Sequence, residues 1–497
     1  MVFNSFSFIF LYLPIVLVLH RILRHFDDQR LTEGLLVLAS CVFYGMFGVK
    51  LLLILLLLAA AGWCCFLLMG EEKNRKDRIV LISGVLIQLM TLAFFKYAGA
   101  LDIEGLPAAA MPVGLSFYTF ALISFLMDRY QGRISKCTLL EYLTFALYFP
   151  KLAEGPIAYF HEILDPIREG RDGGELCPFT EGVILFIIGL AKKVLLADAL
   201  APVVDYGYQM TYYLNWLSAL IAAASFILQL YFDFSGYCDM ACGISLMLGI
   251  RLPVNFLSPF KAVSIREFWK KWHITLSRFL TDHVYIPLGG SRKGAARTII
   301  NTLIVFLISG IWHGSTAGFV IWGLLQGIGV AFCSLGFVRI RNFTDRKYLQ
   351  KKIFLTIPRG IGIFVNFWFY AFSMIFFRAQ DLSYALRMFR ELFDLRQSRF
   401  LIYMAQQLSP AELYPIRALL ELKFPDFQDA FALLTLAVFL LICVLILTGQ
   451  NSFEIAEQGL ISNTGEVRVR RCILLAVLLV WSVISLGGVS TFLYFKF

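Results

Sequence analysis

His313 is the residue whose type and surroundings most directly suggest chemistry. It lies within LISGIWHGSTAGFVIW (307–322), a stretch otherwise apolar enough for a lipid bilayer, in a chain with only six histidines. An ionisable side chain at membrane depth is costly, so such residues usually face a cavity and take part in function. A neutral imidazole is a suitable general base near pH 7, and the flanking Gly310 and Gly314 allow a helix or a substrate to approach closely. The sequence therefore predicts proton transfer at His313, with a hydrogen-bonded core histidine as the alternative.

A second histidine, His273, lies in VSIREFWKKWHITLSRFL (263–280), which predicts one amphipathic helix in the cytoplasmic membrane interface. Ser264 and Glu267 have the spacing of a capping box at its start. At 100° per residue, one face would carry Ile265, Phe268, Trp269, Trp272, Leu276, Phe279 and Leu280, and the opposite face Arg266, Lys270, Lys271 and Arg278. His273 falls at the edge between the faces, where it is either a second functional histidine or an ordinary interfacial residue.

The segment that follows, DHVYIPLGGSRKGAAR (282–297), combines glycines with basic residues. Such a loop can hold a phosphate group, although the GxxxxGK[ST] spacing of a P-loop is absent. The alternative is an ordinary positively charged cytoplasmic loop. The candidates for binding an anionic ligand are Lys270, Lys271, Arg278, Arg292 and Lys293.

Other polar residues within apolar stretches are candidates for a pocket or for structural roles. Ser309, Trp312 and Asp233 are the predicted pocket residues, although capping a broken helix is the favoured role for Asp233. Lys192 and Lys193 are expected to snorkel or to bind lipid phosphate. The sequence predicts no metal site, because no histidine or carboxylate cluster completes a tetrahedron with its cysteines. It also lacks the GxSxG frame of a serine nucleophile.

The composition identifies the elements that must position these residues. Hydrophobic residues make up 59% of the 497 residues and charged residues only 16%, and apolar runs long enough to cross a ~30 Å hydrocarbon core recur along the chain. This predicts an all-α polytopic membrane protein with roughly ten to twelve transmembrane helices and some re-entrant or interfacial ones. The candidate spans are 3–20, 31–47, 50–69, 79–97, 112–130, 139–158, 180–198, 214–232, 236–250, 299–313, 316–337, 355–377, 430–448 and 472–490.

The basic residues predict the orientation of the chain. The net charge is +10, but the cations fall in short loops, where they orient a membrane protein and contact anionic lipid rather than nucleic acid. We expect one membrane domain over 1–497, with a retained first span and both termini extracytoplasmic. Segment 251–297 would be cytoplasmic and segment 378–429 extracytoplasmic.

Several of these stretches, taken in order, resemble the membrane-bound O-acyltransferase family, in particular its bacterial alginate O-acetyltransferase branch. The segments that carry the resemblance are PVGLSFYTFALISFLMDRYQG, EGPIAYF, GLAKKVLLAD, YFDFSGYCDMACGISLMLGIRLPVNF, REFWKKWHITLSRFLTDHVYIPLGGSRKG and SGIWHGSTAGFVIWG. The resemblance implies a ring of helices around a central funnel in the bacterial cytoplasmic membrane, with His313 and His273 as catalytic residues. It also implies a thioester donor (acetyl-CoA or an acyl carrier) used as a substrate, no bound cofactor, and an extracytoplasmic SGNH-type acetyltransferase partner.

The carboxyl-terminal FLYFKF is similar to endings found in the related D-alanyl-transfer system, and suggests that Tyr494 relays the acyl group. An aromatic anchor at the membrane interface is the alternative for Tyr494. For the whole chain the implied function is O-acetylation of an extracellular polysaccharide. The alternatives are a D-alanyl transferase acting on teichoic acid, a lipid or protein acyltransferase, and a transporter or flippase without chemistry.

Overall fold

The computed structural model describes the chain except for residues 27, 72, 98–110, 169–175, 335–337, 342–354, 409, 461–466, 488–492 and 494–497. The described residues form two compact units. The first unit contains Met1–Leu190, Tyr237–Asn255 and the described residues from Ser452 onward, and the second contains Ala191–Gly236 and Phe256–Asn451.

The described part of the chain is helical apart from one short pair of strands. The α-helices of the amino-terminal part are α1 (Leu13–Arg24), α2 (Gln29–Gly45), α3 (Val49–Leu68), α4 (Arg75–Tyr97), α5 (Leu115–Gln131), α6 (Leu139–Leu147), α7 (Phe149–Leu152), α8 (Phe160–Arg168) and α9 (Leu176–Ala191). Those that follow are α10 (Asp198–Gln209), α11 (Trp216–Met247), α12 (Ile265–Phe268), α13 (Ile274–Leu280), α14 (Ala295–His313), α15 (Ala317–Ser334), α16 (Arg359–Arg378), α17 (Leu382–Glu391), α18 (Phe400–Gln407), α19 (Tyr414–Lys423), α20 (Gln428–Thr448), α21 (Ser452–Glu457) and α22 (Val469–Ile484).

Shorter elements complete the description. The π-helical segments are Phe8–Tyr12, Lys192–Ala197 and Thr281–Tyr285, and the 3₁₀ turns are Thr211–Tyr213, Pro259–Lys261, Ala411–Leu413 and Pro425–Phe427. Strands β1 (Val338–Arg341) and β2 (Leu355–Pro358) pair in parallel, with Val338 opposite Leu355.

Seven helices of the described residues, α3, α4, α11, α14, α15, α16 and α20, are long and apolar enough to cross a membrane. The multi-pass all-α prediction is therefore confirmed. Two predicted spans, 214–232 and 236–250, form the single 32-residue helix α11. The predicted span 139–158 is wrong as one helix, because it is divided into α6 and α7 followed by non-helical backbone. Pro150 lies in the first turn of α7, where it prevents a continuous helix with α6, and Gly155 and Pro156 disfavour continuation of α7.

Aromatic stacking and buried hydroxyls hold the first unit together. Phe3 stacks on Tyr237 with ring centroids 4.8 Å apart. The Tyr142 hydroxyl donates to the carbonyl of Ala59 at 2.7 Å. Because a membrane interior supplies no water to satisfy polar groups, such bonds between helices take that role.

Close helix packing organises the second unit around α14 and α15. A Cβ added to Gly310 would lie 2.5 Å from the Phe319 carbonyl oxygen, and one added to Gly323 would lie 2.4 Å from that of Phe306. Only glycine permits this distance between the two backbones, as in other membrane helix pairs built on small residues. The connection between α14 and α15 is short, so His313 lies at the end of a rigid helical hairpin.

The predicted single helix over 263–280 is wrong. The chain forms two short helices, α12 and α13, separated by a turn over 269–273. His273 ends this turn with φ 45° and ψ 50°, in the left-handed region, which interrupts a right-handed helix. At the start, the Ser264 hydroxyl accepts from the Glu267 amide at 3.3 Å as expected, but Glu267 reaches back to the amide of Val263 at 3.1 Å rather than to that of Ser264.

Candidate active site

His313 is the last residue of α14 and is buried among aromatic side chains. Its ring lies 4.5 Å from that of Trp312, and 5.0 Å from those of both Trp322 and Phe377, measured between centroids. Ser309, a predicted pocket residue, is also buried one helical turn earlier. Helices α14, α15 and α16 each contribute to its surroundings, and proton transfer at His313 stays a prediction.

His273 is buried as well, with 2% of its surface exposed, rather than at the edge of an interfacial helix. Its ring packs edge-on against Phe234 of α11, with the centroids 4.8 Å apart and the planes at 87°. Burial lowers the pKa of His273 to about 3. The imidazole is therefore neutral near pH 7, since desolvation penalises the charged form.

Trp312 connects the two histidines. Its ring lies 6.3 Å from that of His273 and 4.5 Å from that of His313. Residues that are forty positions apart in the sequence thus share one aromatic neighbour within the second unit. This arrangement places two imidazoles of different surroundings around one buried tryptophan.

Asp233 belongs to a buried ion cluster beside the Phe234 ring that contacts His273. The Lys193 ammonium lies 2.6 Å from an oxygen of Asp233 and 2.8 Å from one of Asp198. Lys193 is therefore held in a buried ion cluster, and the expectation that it snorkels to lipid is wrong. The cluster fixes Asp233 on α11, immediately before the Phe234 ring that contacts His273.

The predicted donor-binding cations differ in their surroundings. Lys270, Arg292 and Lys293 are exposed, and Arg278 is half-buried. Lys271 lies 2.7 Å from Glu267 in an ion pair. Burial alone would raise the pKa of Glu267, but the hydrogen bonds from Lys271 and from the Val263 amide outweigh it and lower the pKa below its usual range.

Comparison with known proteins places this chain in a family. The sequence profile of the membrane-bound O-acyltransferase family matches residues 36–378, which include both histidines. The chain belongs to the membrane-bound O-acyltransferase family. The resemblance noted from its motifs is confirmed, and the protein is a multi-pass membrane acyltransferase.

Individual members of the membrane-bound O-acyltransferase family match over most of their length. The chain is 34% identical to the peptidoglycan O-acetyltransferase of Helicobacter pylori over 433 residues, 80% of each chain. It is 34% identical to the probable alginate O-acetylase AlgI of Pseudomonas aeruginosa over 413 residues, 79% of this chain and 75% of the relative. A teichoic acid D-alanyltransferase of Streptococcus thermophilus is 27% identical over 274 residues, 51% of this chain and 65% of the relative.

Sequence reasoning missed several residues around the two histidines. Trp322, Phe377 and Phe234 line the histidines, but nothing distinguishes them among the 48 phenylalanines and eight tryptophans of the chain. Gln326 was also missed, although the sequence marks it: it lies between Gly323 and Gly327 in an apolar helix. A side-chain amide in such a position requires a buried hydrogen-bond partner. Tyr494 lies outside the described residues. Among the residues that are described, no group of three histidines, cysteines or acids could hold a metal ion.

Proposed function

We propose that this acyltransferase transfers an acetyl group from a cytoplasmic thioester to a hydroxyl on an extracytoplasmic polysaccharide. The observation that supports it most directly is the pair of buried histidines that contact Trp312. The names of relatives that match about 80% of the chain, peptidoglycan O-acetyltransferase and alginate O-acetylase, support acetyl as the acyl group.

The two histidines suit different roles in such a transfer. His313 removes the proton of the acceptor hydroxyl as its oxygen attacks the carbonyl carbon of the thioester. A C–O bond forms while the C–S bond breaks, and the proton passes from His313 to the departing thiolate. His273, whose low pKa keeps it neutral, donates a hydrogen bond to the carbonyl oxygen as negative charge develops there.

Exposed positive charges support the proposal that the thioester donor binds from the cytoplasmic side. Lys270, Arg292 and Lys293 are exposed cations that would attract an anionic thioester such as acetyl-CoA or an acyl-carrier prosthetic group. By the positive-inside rule we expect them to face the cytoplasm. We further propose that the membrane is the bacterial cytoplasmic membrane and that both termini lie on its extracytoplasmic side. An SGNH-type partner would then receive the acetyl group outside.

The decisive test is the O-acetyl content of the exported polysaccharide in cells that carry His313→Ala, with the protein amount matched to wild type. We expect acetylation to be lost while the polymer is still exported. Retained acetylation would show that His313 is structural. Loss of export itself would favour a glycan transporter, and loss of D-alanyl rather than acetyl esters would favour the teichoic acid reaction.

We also propose that the Tyr494 hydroxyl is the first acceptor: with His313 as general base its oxygen attacks the thioester carbonyl and the thiol leaves. The resulting aryl ester then gives the acetyl group to the partner, which transfers it to the polysaccharide hydroxyl while the Tyr494 phenol is regenerated. A phenol with its ordinary pKa of ~10 leaves an ester more readily than a sugar alkoxide does. Tyr494→Phe should therefore abolish transfer to the polymer, and the wild-type protein should show an acetylated Tyr494 peptide during turnover. An active Tyr494→Phe protein without any adduct in wild type would leave Tyr494 as a membrane anchor.

A further inference from the structure

A buried hydrogen-bond chain connects the elements that carry the two histidines. The Trp269 indole nitrogen donates to Oε1 of Gln326 at 3.0 Å, and Nε2 of Gln326 donates to Oγ of Ser373 at 2.7 Å. Oγ of Ser373 then donates to the carbonyl of Tyr370 at 2.7 Å. Trp269 precedes His273 in the same turn, whereas Gln326 belongs to α15 of the His313 hairpin.

The direction of this chain is fixed by its chemistry. An indole N–H only donates, so the carbonyl side of the Gln326 amide must face Trp269. The NH₂ group of Gln326 must then face Ser373, whose own hydrogen is directed to a backbone carbonyl. Gln326 has no exposed surface, so a side chain unable both to accept and to donate here would leave a buried polar group unsatisfied.

Gln326 lies between the structural elements that carry the two histidines. Trp322, one turn before Gln326 on α15, packs edge-on against His313 with centroids 5.0 Å apart. The Trp269 ring lies 6.0 Å from that same Trp322 ring. A shift of the Trp269 turn relative to α15 would therefore change the separation of His273 and His313.

The turn itself needs such support. His273 adopts a left-handed conformation that is unfavourable for a residue with a side chain and persists only where its surroundings enforce it. On one side, the Leu257 amide donates to the Lys271 carbonyl at 3.0 Å. On the other side, the Trp269 indole donates its hydrogen bond to Gln326.

We propose that Gln326 is a positioning residue for acyl transfer: by linking Trp269 to Ser373, it holds the turn of His273 against the hairpin of His313. This inference rests on the proposed function. The hydrogen bonds of the Gln326 side chain go to Trp269 and Ser373, and to neither the donor-binding candidates nor the histidines. We therefore expect its loss to affect the geometry of catalysis and not the binding of the donor. A displacement of about 1 Å at a catalytic group can lower the rate ~100-fold.

The test compares Gln326→Met with wild type in membrane vesicles supplied with increasing radiolabelled acetyl-CoA, measuring transfer of label into alkali-labile esters per folded protein. We expect kcat to fall by about 10- to 100-fold with KM for the donor within twofold of wild type. Gln88→Met is the matched control, because Gln88 is also fully buried and donates to the Leu58 carbonyl at 3.0 Å, but in the first unit. It should lower the unfolding temperature to a similar degree and leave kcat unchanged.

A double-mutant cycle separates positioning from general loss of stability. If Trp269→Phe and Gln326→Met act through the same bond, their combined effect on kcat will be smaller than the product of the separate effects. Provided that His313→Ala is inactive, three outcomes would each overturn the inference. These are a normal kcat in Gln326→Met, an equal loss of kcat in Gln88→Met, and a double variant whose loss of kcat equals the product of the two single losses. A wild-type rate no greater than that of His313→Ala would instead overturn the proposed function, and with it this role of Gln326.

Discussion

At the scale of single residues, the left-handed backbone of His273 allows two properties to be measured separately. These are the conformational cost of a side chain at this position and the contribution of the imidazole to acyl transfer. A side chain in this conformation costs ~1–2 kcal/mol relative to glycine. We expect His273→Gly to be more stable than His273→Ala by about 1 kcal/mol, the reverse of the usual order in a helix. Both should lose transfer activity by ~100-fold or more, as measured by thermal unfolding and by acetyl transfer in the same preparations.

Ser258 supplies the control for this prediction, because it is also left-handed, with a φ of 48°. Ser258→Gly should likewise be more stable than Ser258→Ala, with activity unchanged. An active His273→Gly protein would show that the residue is needed only for the turn.

A second prediction at this scale concerns the neighbouring lysines. Lys270 is exposed, whereas the charge of Lys271 is partly compensated by Glu267 at 2.7 Å. Lys270→Ala should therefore raise KM for an anionic thioester by about two- to fivefold at low salt, and less at high salt. Lys271→Ala should have the smaller effect on KM, and equal effects of the two variants at every salt concentration would contradict a role for these charges in attracting the donor.

The sequence indicates the histidines more readily than their neighbours. His313 stands out because ionisable residues are rare in apolar stretches, whereas His273 lies among charged residues and its catalytic role was implied by the family resemblance. The bond between Lys193 and Asp233 was not predictable, because forty residues separate the two positions and several acids were available to the lysine. Gln326 was recognisable as a residue in need of a partner, but the choice of Trp269 depends on how distant segments pack.

At the scale of elements, the glycine contacts between α14 and α15 predict how precisely the hairpin must be built. A Cβ at position 310 would lie 2.5 Å from a backbone oxygen, which cannot rotate away. Gly310→Ala should therefore force the helices apart at a cost of about 1–3 kcal/mol and lower the transfer rate at least tenfold, since His313 is only three residues away. Thermal unfolding and transfer assays on the same protein test both effects.

Gly360 of α16 is the matched control, because a Cβ there would meet no atom within 4 Å. Gly360→Ala should retain activity and change stability by at most ~1 kcal/mol, in the stabilising direction, because alanine favours a helix. If Gly310→Ala behaves like Gly360→Ala, the two helices are not constrained by their contact.

The error over 263–280 has an element-scale cause. Two short helices in sequence, both resting on the same core, can give nearly the same apolar periodicity as one continuous helix. The periodicity separated the apolar side chains from the charged ones, but those it assigned to the membrane interface, such as Trp269 and Trp272, are buried within the protein. It could not reveal the reversal of φ at His273: histidine is enriched among non-glycine residues with positive φ, but most histidines do not adopt that conformation.

At the scale of the whole molecule, the distribution of charge predicts which surfaces share a compartment. The loop around Lys293 and the segment around Gln397 should lie on opposite sides of the membrane, the first with the cytoplasm. Lys293→Cys should react with a membrane-impermeant thiol reagent in inverted vesicles and not in intact cells. Gln397→Cys should show the opposite pattern, with each modified peptide identified by mass spectrometry. Modification of both from one side would overturn the topology.

The membrane character of the chain was evident from composition, but the number of crossings was not. The sequence contains fourteen candidate membrane spans. In the structure two of them merge into α11, and the span 139–158 is divided into short helices. Proline and glycine explain the division, whereas hydropathy alone cannot tell a short buried helix from a crossing one. The estimate of ten to twelve crossings stays a prediction.

The one-way hydrogen-bond chain through Gln326 also constrains how this protein can change during evolution. Replacing Gln326 with an apolar residue leaves a buried indole N–H in Trp269, and replacing Trp269 first leaves a buried carbonyl, so either step alone carries a penalty. The two positions should therefore covary: relatives with phenylalanine at the position of Trp269 should carry an apolar residue at that of Gln326. Because a single substitution has to pass through an impaired enzyme, the pair should persist even where the surrounding lipid-facing residues have diverged.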